Sequence, residues 1–227
     1  VLLLAAAWYG LPAHEKPAGV QPHWLGAMLA AYARLAREPA FILYVLLLSM
    51  TTATFYTFLG GAPLVLGSYG VGPDRVGYYI MCVPLAYIAG NFATSRLVHR
   101  LGDRRMMQAG QAFTLSAIVL LLALGLAGVN TPLAFSLPLI FLGIGHGLLV
   151  PPALTGTVSL LPALAGSAAA VAGVMQQLLG AAGGYAVGLV RHDGAVNLGW
   201  LMLGFALSAA TAQALLHRHA RQAPARP

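Results

Sequence analysis

Charge is scarce in this chain. Only 7% of its 227 residues are Asp, Glu, Lys or Arg, against roughly 25% in a soluble domain, while 59% are hydrophobic. So few charges cannot cover a globular surface of this size, and lipid rather than water must face most of the chain. Acids are the scarcer sign, five against twelve Lys and Arg, and all five lie at the edges of apolar stretches. A complete proton relay, which would need a buried carboxylate, finds no support within this chain. Cysteine occurs once, as Cys82 inside an apolar stretch, which excludes an internal disulfide and a cysteine metal cluster. No glycine-rich phosphate loop with a lysine, no nucleophile elbow and no carboxylate pair is present. Enzyme chemistry and a bound cofactor are therefore not expected. The net charge of +7 is no signature of nucleic acid either, because the basic residues sit in short clusters between long apolar runs instead of gathering on one exposed face.

Six apolar runs of about 20 residues, each long enough to cross a bilayer, fill most of the chain: Phe41–Gly60, Val76–Leu97, Met106–Gly128, Leu133–Pro151, Ser167–Val190 and Leu198–Leu216. Their continuous Leu, Ala, Gly and Val content, without strict alternation, indicates helices and not a barrel. The expected fold is an all-α integral membrane bundle of six transmembrane helices. Lys16, Arg34, Arg37, Arg96, Arg100, Arg104, Arg105, Arg218, Arg221 and Arg226 fall on one side of such a bundle, and only Arg75 and Arg191 on the other. Since cytoplasmic loops hold the excess of Lys and Arg, both ends of the six-helix unit are expected in the cytoplasm of a plasma membrane, a bacterial inner membrane. The uncharged linker near Pro151–Pro162 is placed on that side by alternation alone. Residues 1–11 are too short to span and read as the end of a truncated upstream helix. Residues 12–40 read as a cytoplasmic linker, in which Trp24, Met28, Leu29, Tyr32 and Leu35 can form the apolar sector of an interfacial helix or belong to a solvated loop. Residues 41–217 form the bundle and 218–227 a basic tail.

The segment GNFATSRLVHRLGDRR gathers Arg96, Arg100, Arg104 and Arg105 beside the uncharged stretch Met106–Val190. Four arginines between two spans anchor topology. Within the segment Gly102 suits a turn, and Asp103 stands where a carboxylate can cap the next helix. Inside the membrane, small residues allow close helix packing. The fifth run repeats them at Gly166, Ala170, Gly173, Gly180, Gly184 and Gly188 with Gln177 on the same stripe, which is expected to approach another helix. Gln177 either bridges two helices or, with Gln176, contacts a substrate. In the first run Ser49, Thr52 and Tyr56 make a polar stripe suited either to a cavity or to helix contacts, and the run then meets a flexible break at GGAPLVLG. His146 is the one imidazole deep in the apolar runs, a functional candidate by its place in lipid or else a hydrogen-bonded packing residue. It cannot hold a metal alone. Pro84, Gly143, Gly147 and Pro151 are candidate hinge positions.

The segments FYTFLGGAPLVLGSYGVGPDRVGYY, GNFATSRLVHRLGDRR and PPALTGTVSLLPALAGSAAAVAGVMQQLLGAAGG, in the order of a linker followed by six spans, resemble the C-terminal half of a major facilitator superfamily transporter, more narrowly the Bcr/CflA type of drug–proton antiporter. The superfamily's loop motif Gly-x-x-x-Asp-Arg-x-Gly-Arg-Arg places its first glycine on Ser95, its aspartate on His99, its arginine on Arg100 and its second glycine on Gly102, with Asp103 before Arg104 and Arg105. Ser95 and His99 depart from it, as in a degenerate second copy. The resemblance implies alternating access by two six-helix bundles, a missing N-terminal half carrying the proton-linked acids, and one cavity wall here for amphipathic, often cationic compounds. Ser49, Thr52, Tyr56, His146, Gln176 and Gln177 are the candidate wall residues, and protons and a small molecule the expected ligands besides lipid. A metabolite symporter, or a scaffold subunit without a transport cycle, are the rival readings.

Overall fold

The computed structural model describes residues 24–222, and the expectations for 1–11, for residues 12–23 of the linker and for the last residues of the tail lie outside it. Among the described residues the ordered elements are helical. They are α1 (Trp24–Ala36), α2 (Pro39–Ser68), α3 (Pro73–Ile80), α4 (Cys82–Leu101), α5 (Asp103–Leu126), α6 (Pro132–Ser136), α7 (Pro138–Ser159), a 3-10 turn (Pro162–Leu164), α8 (Ala165–Val187) and α9 (Ala195–Gln222). Six segments are long and apolar enough to cross a membrane, α3–α4 and α6–α7 each forming one span. This is the all-α six-helix membrane bundle that the composition implies.

Proline sets where these helices begin and where they break. Pro39, Pro73, Pro132 and Pro162 stand at helix starts, where a missing N–H costs nothing and the fixed φ is already helical. The second span interrupts its helix at Met81, three residues before Pro84, because the proline ring clashes with the preceding turn and cannot donate to it. Pro138 interrupts the fourth span at Leu137 in the same way. Two expectations about helix length fail. α2 does not break at GGAPLVLG but runs through Pro63 to Ser68; Pro63 is exposed, while Gly61, Ala62, Val65 and Leu66 continue the buried face past it. α7 likewise passes Pro151 and Pro152 to reach Ser159.

Packing joins the six spans by exchange. α2 lies between α8 and α9, and α7 lies between α4 and α5. The first span of each triplet is thus held by the second and third spans of the other. Three being odd, the second triplet runs through the membrane in the opposite sense to the first. The closest approaches occur on α7, where glycines point in different directions. A methyl group at Gly147 would lie 2.5 Å from the Tyr87 carbonyl oxygen, and one at Gly143 would collide with the Val83 carbonyl, both on α4. On another face, a methyl at Gly145 would lie 2.6 Å from the Gly110 carbonyl oxygen of α5. No side chain fits at these contacts, and backbone meets backbone.

Apolar clusters occupy both ends of the bundle. Phe58, Leu66, Ile118, Leu121, Leu139 and Leu198 form the larger, Leu47, Leu48, Met107, Leu149 and Ala212 the other. Between them α2 and α7 carry the buried Thr51, Thr54 and His146. The threonine hydroxyls donate to carbonyls one turn back, Thr51 to Leu47 at 2.8 Å and Thr54 to Met50 at 2.9 Å, so their polarity is satisfied within the helix. α1 docks by Leu35 against Phe41, Ala168 and Ala172, with Leu25 and Leu29 exposed on its outer side. Its buried contact with α2 and α8 departs from a purely solvated loop.

The glycine stripe expected on the fifth span meets the packing face at Gly180 and leaves it elsewhere. Ala168, Ala172, Gly180, Gly183 and Val187 are the buried residues of α8. A methyl at Gly183 would lie 2.6 Å from the Ala53 carbonyl oxygen, whereas Gly166, Gly173 and Gly184 face open space. The helix turns about 100° per residue, so the one-residue step from Gly183 to Gly184 is enough to leave the contact. Gly147→Ala is accordingly expected to lower stability by about 1–3 kcal/mol through overpacking. Gly173→Ala, free of that clash, should gain up to about 1 kcal/mol from helix propensity. Thermal unfolding of the purified variants in detergent measures the difference.

Candidate functional site

Thr52 from α2, Pro84 and Tyr87 from α4, His146 and Val150 from α7 and Gln176 from α8, with Phe55, line a cavity of about 300 Å³. Each side chain arrives there because its helix already points a close-packed face elsewhere. α7 turns Gly143 and Gly147 toward α4 and Gly145 toward α5, which leaves His146 directed to α2. α8 packs Gly180 and Gly183 on α2, which brings Gln176, one turn earlier, beside Thr52. The Thr52 hydroxyl lies 3.2 Å from Gln176 Oε1 and also 3.0 Å from the Leu48 carbonyl oxygen. Gln176 Nε2 donates to the Ala172 carbonyl at 3.3 Å. The amide is oriented by two helices and remains at the cavity wall.

His146 is buried, with Nδ1 2.9 Å from the Leu142 carbonyl oxygen and Nε2 3.0 Å from that of Thr51. The first contact is within α7 and the second ties α7 to α2. Its ring centroid is 6.0 Å from that of Phe55, at a tilt of 51°. Beside the cavity the Tyr56 hydroxyl donates to Gln177 Oε1 at 3.0 Å on an exposed face, and the Tyr56 ring covers Gly180. Ser49 is placed differently. It lines a separate apolar cleft of about 460 Å³ with Leu35, Phe41, Val45 and Met175, and its buried hydroxyl lacks a partner there.

A second cavity, of about 640 Å³, lies between the end of α4, the α4–α5 turn and the second half of α7. It gathers Ser95, His99, Gly102 and Asp103 of the arginine-rich segment together with Pro151. Gly102 has φ +78°, a left-handed conformation that glycine adopts without strain, and it ends α4 while starting α5. Asp103 occupies the first turn of α5, but its side chain makes no capping hydrogen bond. It acts on the helix start only through its charge. Arg100, Arg104 and Arg105 are exposed, and the ion pair among the described residues joins Arg75 to Asp74 at 3.6 Å, at the far end of the bundle.

Thr94, which the sequence reading passed over, connects this cavity to α7. Pro151 cannot donate to the carbonyl of Gly147 four residues earlier, and the Thr94 hydroxyl lies 2.9 Å from that oxygen. The same hydroxyl lies 3.0 Å from the Gly90 carbonyl of its own helix, so its one proton is shared between that acceptor and the one α7 leaves free. Phe55, Tyr87 and Asn91 also escaped notice. They are aromatic or amide residues in apolar context, and nothing in a single sequence separates a cavity wall from packing. Thr94 lies four residues after Gly90, on the face that the structure packs against α7.

The Major Facilitator Superfamily model matches residues 1–184. The chain belongs to this superfamily. No curated protein matches it. Superfamily membership accounts for the six-span bundle and makes the chain a multi-pass membrane protein of the transporter class, with a lipid bilayer and a small-molecule substrate as its partners.

The pairing of Thr94 with Pro151 predicts a rescue. Thr94→Val is expected to cost about 1–3 kcal/mol, the penalty of an unpaired buried acceptor. Pro151→Ala restores an N–H to the Gly147 carbonyl, so the double variant should lose less than Thr94→Val alone. A double-mutant cycle in thermal unfolding reads the coupling.

Proposed function

We propose that this chain is the C-terminal six-helix half of a proton-driven exporter of small amphipathic compounds, of the Bcr/CflA type. The observation that carries the reading is the cavity formed by α2, α4, α7 and α8, which combines Thr52 and Gln176 with Phe55, Tyr87 and His146 and has no charged side chain in its lining. Few polar groups among aromatic and apolar ones suit a lipophilic ligand, and Phe55 and Tyr87 put two aromatic rings, the side chains that attract cations, in the lining. At about 300 Å³ the space sits at the lower end for a small-molecule site, as one wall of a larger cavity would.

In this reading an N-terminal bundle supplies the opposite wall, and the two bundles rock around a site near the bilayer midplane. Residues 41–217 form the working bundle, 12–40 the linker with its interfacial helix, and 218–227 the tail. The arginine-rich end faces the cytoplasm of a bacterial inner membrane, since Arg34, Arg37, Arg96, Arg100, Arg104 and Arg105 would otherwise have to cross it. Pro84, Gly143, Gly147 and Pro151 provide the bending points. Ser95, His99, Arg100, Gly102, Asp103, Arg104 and Arg105 form the loop that holds one state, more weakly than a complete motif would.

Everted vesicles carrying the full-length protein test this directly. Ethidium export is expected to require a proton gradient and to stop when the gradient is collapsed. Gln176→Leu should slow it about threefold to tenfold, the weight of one hydrogen bond of 0.5–1.5 kcal/mol. Export that ignores the gradient, or no export of ethidium at all, contradicts the proposal.

A further inference from the structure

We propose that His146 is a proton-binding site, its imidazole held as a cation between two backbone carbonyls. Both ring nitrogens lie at hydrogen-bond distance from an oxygen that can only accept, Nδ1 2.9 Å from Leu142 and Nε2 3.0 Å from Thr51. A neutral imidazole has one N–H, so it satisfies one carbonyl and turns a nitrogen lone pair on the other. The imidazolium donates to both. Flipping the ring offers no escape, because it exchanges both nitrogens for carbons. The Phe55 ring, 6.0 Å away between centroids, is within reach of a cation–π contact. The cavity supplies a route for water to deliver the proton, since His146 lines it beside Thr52 and Gln176.

The groups around the ring leave the added charge uncompensated. α2 presents Thr51, Thr52 and Phe55, α8 presents Gln176, and α5 presents Thr114 beside Gly145. From α4 comes Tyr87, the other titratable group on this cavity, and no carboxylate lies on any of these faces. A proton on Nε2 therefore raises the charge of the cavity by one, in surroundings where charges repel strongly. A lipophilic cation and this proton then exclude each other. Losing the proton also removes the interhelical bond to Thr51 if the remaining N–H keeps the intrahelical bond to Leu142, so exchange alters the tie between α2 and α7. The exclusion of a cationic substrate rests on the efflux reading given above; the protonation itself rests on the ring geometry.

The test uses the full-length protein in lipid nanodiscs, with every other histidine replaced by glutamine and the remaining imidazole labelled with nitrogen-15. Both nitrogens are expected to show the protonated signature at the acid end of a pH titration and a single neutral tautomer at its alkaline end. One neutral tautomer across the whole range overturns the site, even if ethidium export proves proton-driven. Ethidium affinity should fall about tenfold for each pH unit below the transition, the slope for competition with one proton, and His146→Gln should flatten that slope to less than twofold. A protonated ring with pH-independent ethidium affinity overturns the exclusion and leaves the site standing. If His146→Gln does not fold, the nitrogen spectrum and the affinity slope of the parent still decide both points. Loss of ethidium export with the protonated ring observed would count against the efflux reading and not against the site.

Discussion

Helices gain little in lipid by hiding leucine from a solvent as apolar as leucine itself. What holds this bundle is the close approach of backbones at Gly143, Gly145 and Gly147, where α7 meets α4 on one face and α5 on another. Dispersion at such contacts is weak for each atom pair and large in sum, and any side chain would forfeit it. Much else follows from those three positions. With the glycine faces of α7 committed to α4 and α5, the residue between them, His146, is directed at α2. The pairing of α2 with α8 through Ala53 and Gly183 likewise fixes Thr52 beside Gln176. The candidate cavity is thus a by-product of where glycine permits contact.

Proline acts within that frame by freeing acceptors. Each internal proline removes one donor from its helix, and in a membrane a free carbonyl needs a partner from elsewhere. Gly147 finds one in Thr94, which couples α4 to the second half of α7 beside the cavity that gathers Ser95, His99, Gly102 and Asp103. A bend at Pro151 would have to strain or break that bond. The arginine-rich turn and the interior of the bundle are in this way mechanically adjacent, though the arginines themselves stay exposed.

Much of the architecture was legible because charge and its absence are coarse signals. The uncharged stretch Met106–Val190 holds most of three spans and the turns between them, and the clustered arginines mark one end of the bundle. Helix ends were harder. Pro63 and Pro151 look like breaks in sequence, yet buried neighbours such as Ala62, Val65 and Ala153 keep their helices whole. The phase of α8 was misread because glycines recur along two of its faces, and only the position of α2 decides which one packs. Of the candidate wall, Thr52, His146 and Gln176 come together, Tyr56 and Gln177 pair beside them, and Ser49 turns to another cleft. Period alone put Ser49, Thr52 and Tyr56 on one stripe, but two partners divide that stripe between them. Phe55 and Tyr87 stayed hidden because an aromatic in an apolar run carries no mark of the space in front of it.

In the proposed transporter reading, water reaches one set of polar residues and close helix contact occupies another; that sorting is what separates it from a packing scaffold. Single cysteines at Thr52, Gln176, Ala53 and Ala172, in a background with Cys82→Ser, probe it with a membrane-impermeant maleimide on the full-length protein in vesicles. Labelling is expected at positions 52 and 176, reduced by ethidium, with Ala53 and Ala172 protected as buried residues. Equal protection of all four would contradict a wet cavity, and equal labelling would contradict the helix packing on which the account rests.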